Sequence, residues 1–177
     1  MITAPTHFWI QFKYSKFLFK IIFNEHNSQK GEDILDNNDF KVLNEIYKGN
    51  KMGMNAITYM EDEIKDNEFK TEVQKQYNDY KEMSKKIENL MDKNNGELED
   101  TPTKDKVMGW TSVKANTMMD NTTSHMSEML IQGTVMGVIE GVRLSNQNSN
   151  LNNEVKDIVN EFIKTSEDNI QILKKYL

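Results

Sequence analysis

The stretch from Asn116 to Gly141, NTMMDNTTSHMSEMLIQGTVMGVIEG, limits the fold more than any other, because it is patterned on two faces of a helix. At about 100° per residue, Asn121, His125, Glu128, Gln132, Val135 and Ile139 fall on one stripe. The opposite side carries Met119, Met126, Leu130, Gly133, Gly137 and Gly141. Apolar or small residues stand where an ordinary surface helix shows charge, so the helix should be covered on both sides. A glycine in a helix costs about 1 kcal/mol relative to alanine, so three in register imply a close approach by another backbone. The face of Met126, Leu130, Gly133, Gly137 and Gly141 is therefore expected to pack against a neighbour, and a homodimer partner is the preferred reading. The polar stripe is then the candidate site, since polar groups facing a core must be hydrogen-bonded, paired or metal-bound.

The rest of the chain supports one all-α domain. Only two prolines and eight glycines interrupt 177 residues, and the periodic segments are rich in good helix formers. A net charge of −6, with Arg143 the single arginine, argues against a nucleic-acid partner. The absence of cysteine excludes disulfides, thiolate-held iron–sulfur clusters and zinc-ribbon sites. No apolar run reaches the roughly 18 residues of a membrane span. A cytoplasmic location is expected.

Taken in order, residues 1–34 differ from the remainder of the chain. MITAPTHFWIQFKYSKFLFKIIF is aromatic and carries three lysines and no acid. It reads as an interfacial amphipathic anchor, as a strand-like extension, or as sequence upstream of the true start, and the last is favoured. Lys30-Gly31-Glu32-Asp33 can be encoded by a purine-rich run resembling a ribosome-binding site, and Leu35 by TTG. The segment is expected to be disordered and separate from a bundle over 36–177.

The first bundle helix starts at a cap on Asp36 or Asn37 and runs to about Asp66-Asn67, with Phe40, Leu43, Tyr47, Met54, Ile57 and Ile64 along its buried edge. Glu61 follows Phe40, Tyr47 and Met54 at heptad spacing. The second helix, about 68–93, buries Phe69, Val73, Tyr80, Met83, Ile87 and Leu90, with Gln76 as a polar interruption and Glu72 at its margin. Asn94-Asn95-Gly96 ends it with a left-handed cap. A single helix over 103–146 would be about 63 Å long, too long for such a bundle, so a break is expected near Asp120–Thr123. Residues 104–119 become a crossover helix and 122–146 the third bundle helix. The fourth runs from Leu151 to Leu177 on Val155, Ile158, Phe162, Asn169, Leu173 and Tyr176.

At Leu43-Asn44-Glu45-Ile46, at Met52-Gly53-Met54-Asn55-Ala56, and in the Asn94–Lys114 tract with Gly96-Glu97-Leu98-Glu99 and Gly109-Trp110, the sequence resembles small bacterial ferritin-like proteins of unknown function, distant relatives of rubrerythrin. The resemblance covers roughly residues 36–120. It implies an antiparallel ferritin-like four-helix bundle, often dimeric, with a crossover helix between the second and third helices, and it directs attention to a di-iron carboxylate site. That site needs one Glu from each of two helices and a Glu-x-x-His pair from each of the others. The chain does not supply it: Thr122, not Glu, stands three residues before His125. The nearest set is Glu61, His125 and Glu128, with Glu72 as an outlying fourth, able to hold a single Fe, Zn or Mn ion. The same groups can instead be satisfied by Asn121, Gln76, Gln132, Tyr80 and Tyr47. The expectation is a non-enzymatic structural or interaction protein, with a metal-binding, oxidative-stress-type protein as the alternative. The Lys/Asn/Ile-rich composition adds a weaker suggestion of association with spores or the cell envelope.

Overall fold

Asp36 begins the described fold by capping its first helix. The computed structural model describes residues 34–99 and 120–177. The Asp36 carboxylate accepts the backbone N–H groups of Asn38 and Asp39, and Asp39 returns the bond by accepting the N–H of Asp36 at 3.0 Å. This reciprocal capping box satisfies donors that a helix start otherwise leaves orphaned. From it runs α1, Asn37–Met60, followed by a 3₁₀ turn at Glu61–Glu63. Asp66 caps α2, Asn67–Lys93. Thr122 caps α3, Thr123–Gln147, and Asn152 caps α4, Asn153–Leu173, which a 3₁₀ turn at Lys174–Tyr176 extends. Among the described residues these four α-helices are the whole α-helical framework. No described helix is long and apolar enough to cross a membrane.

The expected cap at Asn94-Asn95-Gly96 is present, with a division of labour. Asn95 takes the left-handed conformation at φ 55°, while its N–H donates to Asp92 and that of Gly96 to Met91 at 2.8 Å. These two bonds form a Schellman motif. Gly96 serves space rather than φ, because a Cβ there would lie 2.6 Å from the Phe40 ring. The α3 start also lies where the turn-forming run Asp120–Thr123 placed it. The first helix is shorter than expected: its α-helical part ends at Met60, not Asp66.

Contacts fix the directions of the helices. Tyr47 donates to Glu88, and Gly53 lies against Tyr80, so α1 and α2 are antiparallel. Gly141 lies against Phe162, and Ser127 donates to the carbonyl of Leu173, so α3 and α4 are antiparallel too. Asp39 near the start of α1 accepts the N–H of Asn152 at the start of α4, so those two helices start at one end of the bundle. It follows that α2 and α3 point the same way. Glu99 is held beside Asn44 at one end of the bundle and Asn121 beside Lys65 at the other. The expected crossover helix at 104–119 and the N-terminal extension lie outside the described residues.

Two apolar clusters fill the interior. One contains Leu43, Ile46, Ile87, Met91, Val155 and Phe162; the other contains Ile57, Met60, Phe69, Val73, Met126 and Leu173. The buried stripes of α2 and α4 are those that the sequence periodicity marks. Each fully buried aliphatic or aromatic side chain contributes about 1.5–3 kcal/mol, so these two clusters carry the stability.

Candidate functional site

The helix α3 is turned the other way from the sequence expectation. Met126 is fully buried, Leu130, Gly141 and Leu144 are buried with it, and Gly137 lies against α4. The face assigned to a homodimer partner, Met126, Leu130, Gly133, Gly137 and Gly141, is thus largely the chain's own core seam. Of the stripe expected to turn inward, His125 is half-buried while Glu128, Gln132, Val135 and Ile139 look outward. Val135, Met136, Ile139 and Val142 are 39%, 71%, 53% and 40% exposed. They form an apolar face on the outside of the bundle.

The glycines have a different neighbour from the one expected. A side chain, Phe162 of α4, fills the space, with ring atoms 3.4 Å from a Cβ placed at Gly49, 3.3 Å from one at Gly137 and 3.2 Å from one at Gly141. The ring is wedged between α1 and α3, and Ile163 also comes within 2.8 Å of a Cβ at Gly141. At Gly133 nothing lies within 4 Å, so that glycine takes no part in the seam.

The three carboxylate and imidazole candidates are not drawn together. Glu61 sits in the 3₁₀ turn after α1, where the heptad run from Phe40 has already ended. His125 is in the first turn of α3, its backbone N–H donating to the Thr122 cap at 3.3 Å. Glu128 is exposed and accepts a bond from Gln132 at 3.1 Å. Asn121 accepts from Lys65 instead of joining them. Among the described residues no group of three or more His, Asp or Glu side chains is arranged to hold a metal ion. Ser127, beside His125 in sequence, spends its hydroxyl on the buried carbonyl of Leu173 at 2.7 Å.

A polar layer does exist, but it is neutral, and it runs from the boundary of the two apolar clusters into the second. Asn50 of α1 is fully buried, and neither its amide nitrogen nor its oxygen has a hydrogen-bond partner among the described residues. Ser84 of α2, at the same level, buries an unpaired hydroxyl; Gln76 Nε2 and Asn169 Nδ2 are in the same state. Tyr80 completes the layer beside Thr134 and Asn169. Burial raises its phenol above the ordinary value, against the smaller opposing pull of those two side chains. Asn50 was legible in principle, since it continues the inward series Val42, Ile46, Asn50, Ile57. The side chains of this layer include no carboxylate and no imidazole.

Outside this layer, α2 and α4 enclose a groove of about 230 Å³ lined by Lys75, Asp79, Glu82, Met83, Thr165 and Asn169, among others. Lys86 and Glu161 pair across it at 2.5 Å. Partial burial raises the Asp79 carboxyl above its ordinary range; Lys75 pulls it partly back and Glu82 adds to the rise. The ionised acid is therefore less favoured in the fold than in the unfolded chain. Stability from this group is fully present below the unfolded value of about 4 and is lost as pH rises through the higher folded value. Asp79→Asn is expected to melt at a higher temperature than the parent at pH 7, with the difference closing as pH falls below about 4. Thermal melts at the two pH values check this, and a difference that does not depend on pH would contradict it.

No protein-family model matches the sequence, and no curated protein does. The fold is similar to the crystal structure of a DUF305 fragment from Deinococcus radiodurans, with a TM-score of 0.65 and 7% sequence identity, over 80% of this chain and 95% of that one. At that identity the likeness shows an all-helical fold and carries no chemistry.

Proposed function

We propose that this chain is a non-enzymatic interaction protein, a ferritin-like bundle that acts by presenting the outer face of α3 to another protein. The observation that carries the reading is the exposed stripe of Val135, Met136, Ile139 and Val142. Contiguous exposed apolar surface of this kind usually marks a protein contact, because leaving it in water forfeits burial energy. The ferritin-like assignment draws support from the direction of α2 and α3: a bundle with one long crossover is the ferritin-like arrangement. The polar layer fits the same reading, since it occupies the middle of the bundle with amides and hydroxyls in place of carboxylates.

A photo-cross-linking residue at position 139, compared in cells with one at the exposed Lys85 on α2, tests the face. Adducts at 139 and none at 85 are expected, whereas an absence of adducts at both would overturn the reading. Elemental analysis separates it from the metal-binding alternative. Wild type and His125→Ala are expected to carry the same metal content, and a near-stoichiometric ion lost in the variant would favour the alternative built on Glu61, His125 and Glu128.

A further inference from the structure

The outer face of α3 has charges at its two ends as well as apolar residues in its middle. Glu128, Gln132, Val135, Ile139 and Val142 recur at alternating spacings of four and three, the seam pattern of helices that pack along their length. Beside the far end of that seam stands Arg143, the single arginine of the chain, exposed and paired among the described residues with its own-helix neighbour Glu140. Glu128 and Arg143 lie about 22 Å apart along the helix, on the solvent side of α3. Midway between them is the Val135–Met136 peptide.

This distribution is self-complementary in one orientation. If a second α3 lies antiparallel across the first, with the two-fold axis near Val135–Met136, each Arg143 meets Glu128 of the other copy. The apolar residues of the two helices then cover one another. A parallel arrangement would set Glu128 against Glu128 and Arg143 against Arg143. Building on the interaction reading above, we infer that the occupant of this face is a second copy of the chain, paired antiparallel through α3 and keyed by two Glu128–Arg143 pairs. Two single helices bury less than the roughly 800 Å² per partner of a standard interface, so the dimer should be weak, dissociating at about micromolar concentration.

Sedimentation velocity of the full chain over a dilution series tests this. Wild type is expected to pass from dimer to monomer on dilution, and Ile139→Lys to remain monomeric throughout with its helical circular dichroism unchanged. Glu128→Arg and Arg143→Glu should each weaken the dimer by about tenfold or more, because each turns both end pairs repulsive. Both substitutions in one chain should recover wild-type affinity to within about threefold, the remainder reflecting a second acid beside Glu140. A monomer at all concentrations, a dimer indifferent to Ile139→Lys, or a double variant as weak as the single ones would each overturn the inference. The two proposals fail separately. A monomeric wild type that still forms adducts to a different protein at position 139 removes the second copy and leaves the interaction face standing. A monomer with no adducts removes both.

Discussion

Phe162→Ala is expected to lower the stability of the bundle by about 3–5 kcal/mol, the upper end of what a single truncation costs. The ring is 4% exposed and belongs to the first apolar cluster. Its surroundings make the loss hard to recover. A cavity left by a truncated side chain shrinks only if neighbours can move into it, and the neighbours on two sides are Gly49, Gly137 and Gly141, which have no side chains to move. Backbone would have to shift instead. Urea or thermal unfolding of the parent and the variant gives the difference directly. A loss below about 1 kcal/mol would mean that the helices close over the gap, and that the glycines do not set the α1–α4–α3 spacing.

The second large effect has the opposite sign. Asn50→Leu is expected to stabilise the fold by about 2–4 kcal/mol, because it keeps the branching of the side chain while removing two buried polar atoms that lack partners, each costing about 1–3 kcal/mol. Replacement of unsatisfied polar groups by apolar ones of like shape is neutral or favourable, whereas deletion of one partner of a satisfied pair is not. Asn44→Leu is the control. Asn44 is also buried, but its amide donates to Phe40 and Glu97 and accepts the N–H of Glu99 at 2.7 Å, so the same replacement should destabilise. If Asn50→Leu lost stability as Asn44→Leu does, Asn50 would have to be a satisfied group in solution. The unpaired layer would then not be a place where the chain forgoes stability.

The sequence showed the helices more readily than their rotation. The cap at Asp36 or Asn37, the break within Asp120–Thr123, the Asn94–Gly96 turn, and the buried stripes of α2 and α4 were legible because each rests on local chemistry: side-chain oxygens at orphaned N–H groups, or one clear apolar face. For α3 the periodicity did not choose. Met126 and Leu130 on one side compete with Val135 and Ile139 on the other, and nothing local to the helix says which pair its neighbours will cover. The deciding partner was Phe162, a large ring on α4 whose match to a ladder of glycines is visible only once the two helices are set side by side. Glu61 leaves the heptad register for a simpler reason. The α-helix ends at Met60 and passes into a 3₁₀ turn at Glu61–Glu63, although acids are unfavourable beside a helix C-terminus, so nothing local marks the end and the heptad count runs past it. The polar groups that do turn inward include Asn50 and Ser84, uncharged side chains that no motif marks, beside Gln76 and Asn169, which the apolar stripes of α2 and α4 carry with them.

The carboxylate of Asp39 touches two helix starts at once, closing the cap of α1 and accepting the N–H of Asn152 at the head of α4. Aligned peptide dipoles give each helix about half a positive charge at its N-terminus. Parallel neighbours place two such ends side by side, where they repel. The sum is about one positive charge, and Asp39 supplies a single negative charge between them. One buried acid thus offsets the electrostatic cost of starting α1 and α4 at the same end of the bundle.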